Sequence, residues 1–114
     1  MMVKILHNPK CSKSRECLTT LQDKLKDVQV INYLDGVLTE ADILEIVTKL
    51  HCNPIYIIRT KDEFYIENYK NRLLSNEEWI VEMAKYPKLI ERPIVINGSK
   101  AAVGRPLQNV LDIL

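Results

Sequence analysis

Apolar residues change their spacing twice within the first third of the chain. Residues 3–6 and 28–31 are short runs dominated by apolar side chains, which is typical of buried strands. Between them, apolar residues recur at helical spacing over residues 14–25, at Cys17, Leu18, Leu21 and Leu25. This order of strand, helix and strand predicts a βαβ unit.

Capping signatures and helical apolar faces indicate that the region of about residues 36–88 is mostly helical. Thr39 followed by Asp42, and Ser75 followed by Glu78, have the spacing of helix N-terminal capping boxes. The apolar faces that follow these caps are Ile43, Ile46, Val47 and Leu50 in the first helix and Trp79, Ile80, Met83 and Ala84 in the second. We expect this region to be an insertion between two strand-containing halves.

The last part of the chain returns to a strand pattern. Residues 93–96 and 101–103 are short apolar runs on either side of Asn97-Gly98, a dipeptide typical of a hairpin turn. Pro106 fits the first turn of a final helix, whose apolar face would be Leu107, Val110, Leu111 and Leu114. The complete order predicts an α/β protein of the thioredoxin-like type. A four-stranded mixed sheet with flanking helices would carry the helical insertion between its βαβ and ββα halves.

The composition agrees with one globular domain over residues 1–114. Hydrophobic residues make up 46% of the chain, enough for a core without disulfides or a structural metal. The net charge of +1 gives no basic field for nucleic acid, and no apolar run approaches the roughly 20 residues that span a membrane. Three cysteines and no recognisable signal peptide favour a reducing cytoplasm, and the lack of an evident apolar stripe favours a monomer.

Cys11 is the residue most clearly placed for chemistry. It follows a short strand and a His7-Asn8-Pro9 turn, and the polar segment after it predicts the start of a helix. Unpaired backbone N–H groups and the helix dipole favour an anion at a helix N-terminus. Together with nearby cations such as Arg15, they predict a lowered thiol pKa and a reactive thiolate. His7 is interpreted either as a partner of this thiolate or as a polar strand end.

The other cysteines give no second chemical motif. Cys17 and Cys52 are predicted to be small buried side chains, and Ser14 stands where a Cys-x-x-Cys motif would have its second thiol. No metal site is expected, because the available zinc ligands lack paired spacing: Cys11, Cys17, Cys52, His7 and His51.

Three arginines each join an apolar element to a turn, namely Arg59, Arg92 and Arg105. The guanidinium group is always charged, and its planar fork matches tetrahedral oxyanions, so these arginines are candidate anion ligands. The alternative interpretation is that each is a solvated element end or a member of a surface ion pair.

Four separated motifs make the chain similar to the glutaredoxin-coupled arsenate reductase family. In order, they are His7-Asn8-Pro9-x-Cys11-x-x-Ser14-Arg15, Arg59, Glu91-Arg92-Pro93-Ile94-Val95 and Gly104-Arg105-Pro106. The resemblance implies a thioredoxin-like fold with a helical insertion. It also implies that Cys11 is the nucleophile and that His7 helps to lower its pKa. The Arg92-Pro93 peptide bond would be cis.

The same resemblance implies a substrate and its reductants. The three arginines would bind the oxyanion, and Asn8, Ser14 and Arg15 fall on motif positions around the same loop. The Cys11 thiolate would attack arsenate, glutathione as co-substrate would reduce the arsenic, and the partner glutaredoxin would resolve the mixed disulfide. The family needs no metal and no bound cofactor.

Two other functions on the same fold stay open. One is a regulator of the Spx type, which contacts RNA polymerase and senses thiol oxidation, although Ser14 replaces the second cysteine of its usual switch. The other is a generic glutathione-dependent monothiol reductase, in which the arginines would bind glutathione carboxylates. Lys10 and Lys13 are also more basic than the small residues that the family leads us to expect beside Cys11.

Overall fold

Four strands form one sheet in the computed structural model, which describes residues 2–114. The strands are β1 (Val3–Leu6), β2 (Val28–Ile31), β3 (Ile94–Asn97) and β4 (Lys100–Val103), in the sheet order β2-β1-β3-β4. The helices are α1 (Ser12–Lys24), α2 (Glu40–Leu50), α3 (Glu63–Asn68), α4 (Asn76–Lys85) and α5 (Gln108–Leu111). Short 3₁₀ turns lie at Tyr33–Asp35, Pro54–Ile57 and Pro87–Leu89.

The strand pairing places one end of each of the four strands along the same edge of the sheet. β1 pairs in parallel with β2 and antiparallel with β3, and β4 returns antiparallel to β3 through a turn at Gly98, where φ is 62°. The register places Leu6 beside both Ile31 and Ile94, and places Ile94 beside Val103. The ends of β1, β2 and β4 therefore meet the beginning of β3. The predicted α/β order, mixed sheet and hairpin are confirmed.

Helices cover both faces of this sheet. One cluster of buried side chains joins the sheet to α1 and α5: Val3, Ile5, Cys17, Leu21, Val95, Ala102 and Val110. The other cluster joins the opposite face to α2 and α4: Leu6, Ile43, Ile46, Val47, Trp79, Met83 and Ile94. Neighbours such as Ile5 and Leu6 belong to different clusters because successive side chains of a strand point to opposite faces.

Residues 36–88 are mostly helical, as the sequence predicts. Both capping boxes are present, with Thr39 and Ser75 each accepting a hydrogen bond from the backbone N–H three residues later. The backbone N–H of Arg59 donates to the Leu89 carbonyl at 2.8 Å. This contact ties the middle of the insertion to the segment that leads into β3, and so brings Arg59 towards the sheet edge.

Two helix boundaries differ from the prediction. α1 begins at Ser12 rather than Ser14, directly after Cys11 as its N-cap. α5 begins at Gln108 rather than Pro106, because the Pro106 carbonyl first accepts the Asn109 N–H at 3.1 Å in a tight turn. No helix in the described part of the chain is long and apolar enough to cross a membrane.

Candidate active site

The loop between β1 and α1 carries Cys11 to the edge where β1 and β2 end. The backbone N–H of Cys11 donates to the Asn8 carbonyl at 3.0 Å, which closes a tight turn before the helix. Cys11 is 8% exposed, and as the N-cap it lies at the N-terminal end of α1. The first-turn N–H groups of a helix have no partners within the helix, so they are free to stabilise a thiolate there.

Opposing influences act on the pKa of the Cys11 thiol. Burial is the largest one and raises the pKa. The backbone N–H of Ser14, the Arg92 guanidinium and the backbone N–H of Lys13 lower it, and together they prevail. The pKa therefore lies below its ordinary value of 9.0. A lowered pKa increases the thiolate fraction near neutral pH, which is what a nucleophilic cysteine requires.

Arg105 contacts the sulfur directly. Its Nη2 donates to Cys11 Sγ at 3.3 Å, while its Nε donates to the Arg92 carbonyl at 2.7 Å. The same Nε lies 3.4 Å from Glu91 Oε1 in an ion pair. Arg105 follows β4 and Arg92 precedes β3, so the antiparallel pairing of these strands places both arginines at the edge that carries Cys11.

Two proline junctions and a glycine shape the segments that bear these arginines. The Arg92-Pro93 bond is cis, as the resemblance implies, and the Arg105-Pro106 bond is also cis. The backbone N–H of Gly104 donates to the Pro93 carbonyl at 2.9 Å. A Cβ atom on Gly104 would lie 2.8 Å from Pro93 Cγ, so the close approach of the two segments requires glycine.

The arginines of the site have hydrogen-bonding capacity and space for an anion. Arg92 Nε is buried and has no hydrogen-bond partner among the described residues, and such a group is stabilised by an acceptor. Arg59 Nη2 lies 3.3 Å from Asp62 Oδ1. Arg59, Arg105 and Glu91 line a cleft of about 440 Å³. The structure thus brings the three predicted arginines to one site, with Arg59 on the wall of the cleft that Arg105 shares.

His7 lies against Ser14 in the described structure. Ser14 is completely buried, its Oγ lies 2.6 Å from His7 Nδ1, and the same Oγ accepts the Asn8 N–H at 3.0 Å. Burial, with a smaller contribution from the Arg15 charge, lowers the pKa of His7. A neutral His7 can accept a hydrogen bond from the Ser14 hydroxyl at Nδ1. A catalytic role of His7 stays a prediction.

Asn8 and Arg15 brace the same loop through its backbone. Asn8 Oδ1 accepts the Lys10 N–H at 3.0 Å, and Arg15 Nη1 donates to the Pro9 carbonyl at 3.0 Å. Together with Ser14, these predicted site residues surround Cys11 in contacts that hold the loop in shape. Contact between these side chains and a substrate stays a prediction.

Sequence reasoning missed Tyr33 and gave Glu91 no role. Tyr33 is 1% exposed. Burial raises its pKa, while the positive charges of Arg92 and Arg59 act in the opposite direction and the Cys11 charge adds to the rise. The charges of the site therefore act on the buried Tyr33 hydroxyl. The available signal was its position two residues after β2, at the edge where the parallel strand β1 also ends.

The other two cysteines have surroundings that differ from those of Cys11. Cys17 is 1% exposed and belongs to the core between the sheet and α1, as predicted, and burial raises its pKa to about 11. Cys52, which was predicted to be buried, is instead partly exposed just after α2, where partial burial still raises its pKa. Among residues 2–114, no three His, Cys, Asp or Glu side chains come together in a group that could hold a metal ion.

The fold is a thioredoxin-like sheet, and one edge of it carries a single thiol of lowered pKa among arginines. These features define a class of thiol proteins whose site suits an anionic substrate. The chain matches the model of the ArsC family over residues 6–113. An arsenate reductase of Haemophilus influenzae is 43% identical over 116 residues, covering 100% of both chains. One of Neisseria meningitidis is 40% identical over 114 residues, covering 98% of this chain and 97% of that one.

A solved structure gives the same result. An arsenate reductase from Vibrio cholerae superposes with a TM-score of 0.92 at 42% identity, covering 100% of this chain and 98% of that chain. The chain therefore belongs to the ArsC family, and the resemblance noted from the motifs is confirmed.

Proposed function

We propose that this protein is an arsenate reductase that uses glutathione as co-substrate and glutaredoxin as partner. The observation that carries the proposal is the contact of Arg105 Nη2 with Cys11 Sγ at 3.3 Å, beside the buried and unpartnered Nε of Arg92. An oxyanion that reached this sulfur would meet two guanidinium groups at once. Three relatives of 40–43% identity that carry the name arsenate reductase support the same substrate.

The first chemical step would be attack of the Cys11 thiolate on arsenic(V). A sulfur–arsenic bond forms, and one arsenate oxygen leaves as water after protonation. The guanidinium groups of Arg59, Arg92 and Arg105 would neutralise the dianion in the ground state. They would also stabilise the additional charge on its oxygens as the bond forms. The lowered pKa of Cys11 supplies the nucleophile without a separate general base.

The following steps would take their electrons from external thiols. Glutathione displaces a second oxygen and bonds to arsenic through its sulfur. A glutaredoxin thiolate then attacks that glutathione sulfur, forming a mixed disulfide and leaving an electron pair on arsenic, which becomes arsenic(III). Water finally replaces the Cys11 sulfur and arsenite departs. Because Cys17 is buried in the core, an external second thiol suits this chain better than an internal one.

The proposal needs neither a metal nor a bound cofactor. Glutathione and glutaredoxin are abundant thiol reductants of reducing compartments, so we place the reaction in the cytoplasm and propose that the chain acts as a monomer.

The direct test is arsenate-dependent NADPH oxidation with glutathione, glutathione reductase and glutaredoxin. We expect Cys11→Ser to abolish the activity and Cys52→Ser, a matched change at a thiol away from the site, to retain it. Omission of glutaredoxin should greatly slow the reaction. Full activity of Cys11→Ser would show that the proposed nucleophile is wrong.

A generic glutathione-dependent monothiol reductase is the second candidate. The observation in its favour is the size of the cleft beside Arg59, about 440 Å³, which is much larger than a tetrahedral oxyanion. Lys61 on its wall adds a second cation that could bind a glutathione carboxylate. Reduction of a glutathione mixed disulfide without any response to arsenate would favour this function. The Spx-type alternative is less well supported, because buried Ser14 occupies the position of its second thiol.

A further inference from the structure

Glu91 lies against the arginine that contacts the thiol. Its Oε1 is 3.4 Å from Arg105 Nε and accepts the backbone N–H of Arg92 at 3.2 Å. Its backbone N–H donates to the Ile57 carbonyl at 2.7 Å, which fixes the main chain from which the carboxylate projects. The side chain is partly exposed and faces the cleft that Arg59 also lines.

The contacts of Arg105 leave its guanidinium group little freedom. Nε is held between the Arg92 carbonyl at 2.7 Å and Glu91 Oε1 at 3.4 Å, and this orients Nη2 towards Cys11 Sγ at 3.3 Å. The planar geometry of a guanidinium group means that fixing Nε also fixes the direction of Nη2. The Arg92 carbonyl is thus the hydrogen-bond acceptor of Arg105 Nε, and Glu91 is the ion-pair partner that helps to hold Arg105 over the sulfur.

The same carboxylate carries a negative charge into an anion site. Two of the arginines that line the cleft each have an acidic partner: Asp62 for Arg59 at 3.3 Å and Glu91 for Arg105 at 3.4 Å. A dianion that binds Arg105 must approach Glu91, and two negative charges on the ligand double the repulsion. Asp62 and Glu91 each also accept one backbone N–H, from Phe64 and Arg92 respectively, but only Glu91 pairs with the arginine that contacts the thiol.

We infer that Glu91 is an internal counter-ion that positions Arg105 over Cys11 while the site is empty and that weakens the binding of oxyanions to the same arginine. The inference rests on the proposed function for the identity of the substrate, but its two effects concern anion binding and thiol reactivity only. Glu91 is a positioning and affinity-setting residue, and Arg105 is the group that touches sulfur and ligand.

Two substitutions separate the two effects. Glu91→Gln removes the charge and keeps a side-chain oxygen that can contact Arg105 and accept the Arg92 N–H, whereas Glu91→Ala removes both. Glu63→Gln is the matched control, because Glu63 is an exposed carboxylate of α3 that does not line the cleft. It removes the same charge without changing a neighbour of Arg105.

The first readout is the binding of inorganic phosphate, measured by titration calorimetry and by protection of Cys11 against iodoacetamide. A carboxylate about 6 Å from a dianion weakens binding about three- to tenfold at moderate salt, so Glu91→Gln should bind phosphate more tightly by that factor. Glu63→Gln should bind as the wild type does. Equal, weaker or absent phosphate binding in Glu91→Gln would overturn the inference.

The second readout is the pH dependence of Cys11 alkylation in the absence of anions. Glu91→Gln should keep the wild-type midpoint or move it to lower pH, because the contact with Arg105 stays and the thiolate loses a nearby negative charge. Glu91→Ala removes the same charge but also the contact, so its midpoint should lie at higher pH than that of Glu91→Gln. A Glu91→Ala midpoint identical to that of Glu91→Gln would refute the positioning role. A change of melting temperature with no change in either readout would mean that Glu91 is only structural.

These measurements do not depend on turnover. If the protein fails to reduce arsenate but Glu91→Gln binds phosphate more tightly, the proposed function is wrong and the role of Glu91 stands. If arsenate is reduced and the Glu91 variants behave like the wild type, the role of Glu91 is wrong and the proposed function stands.

Discussion

Replacement of Ser14 by alanine tests whether one buried hydroxyl holds the loop that carries the thiol. Ser14 is 0% exposed, and its Oγ lies 2.6 Å from His7 Nδ1 and accepts the Asn8 N–H at 3.0 Å. Alanine would leave both partners without a hydrogen bond. A buried polar group without a partner costs about 1–3 kcal/mol, and the partly buried Asn8 N–H is at the low end, so Ser14→Ala should lower the free energy of unfolding by about 2–4 kcal/mol.

Urea denaturation followed by circular dichroism measures this loss. With a denaturant dependence of about 1–3 kcal/mol per molar urea for a small protein, the midpoint should fall by about 1–2 M. The matched control is Ser12→Ala at the start of the same helix, where the side chain is exposed. Exposed substitutions of this kind change stability by less than about 0.5 kcal/mol.

The same variant separates stability from reactivity. Ser14 lowers the pKa of Cys11 through its backbone N–H, which alanine retains. The pH profile of Cys11 alkylation should therefore stay close to that of the wild type, although the protein is much less stable. A Ser14→Ala protein as stable as Ser12→Ala would refute the reasoning, since it would mean that the two buried partners find other acceptors or donors at no cost.

Other perturbations act on the thiols, on His7 and on the Gly104 turn. At pH 7, iodoacetamide should alkylate Cys11 first and leave Cys17 unmodified, because burial raises the pKa of Cys17 to about 11. Peptide mass spectrometry measures both, and equal labelling would contradict the lowered pKa of Cys11. The pKa of His7 in the folded protein lies below 6.5, so the unfolded chain takes up this proton first as the pH falls. The contribution of His7 to stability is complete above about pH 6.5 and is lost as the pH falls through the folded pKa. Urea midpoints at pH 7 and pH 5 should show a smaller decrease for His7→Gln than for the wild type, and the same decrease in both would exclude this cause. Gly104→Ala should lower the free energy of unfolding by about 1–3 kcal/mol, because its Cβ would lie 2.8 Å from Pro93 Cγ. An unchanged thermal melt would show that the two segments separate without strain.

The order of elements could be predicted because its signals are local. The strands follow from short apolar runs, and the insertion follows from the capping boxes that begin at Thr39 and Ser75. The same kind of signal placed the start of the last helix at Pro106, which is wrong. The Pro106 carbonyl turns tightly to Asn109 first, and only the packed segment shows that regular helix begins at Gln108.

The sequence predicted which residues form the candidate site better than it predicted their contacts. The motif residues around Cys11 lie close together in the chain, and the arginines match the family pattern. The partners of those residues were not predictable: Ser14 engages His7, and Glu91 engages Arg105. A local pattern states which residue types are present but not which neighbour a side chain meets.

The sequence by itself determined the α/β class, the βαβ and ββα halves with their helical insertion, and the thiol at a helix N-terminus. These properties depend on periodicity, capping and turn chemistry over a few residues. Only the tertiary structure decided that Arg105 touches Cys11 across 94 positions of the chain, and that Tyr33 is buried within range of the charges of the site. The physical reason is that strand pairing determines which strand ends lie along the same edge of the sheet. The side chains that meet there come from segments that are distant in the sequence.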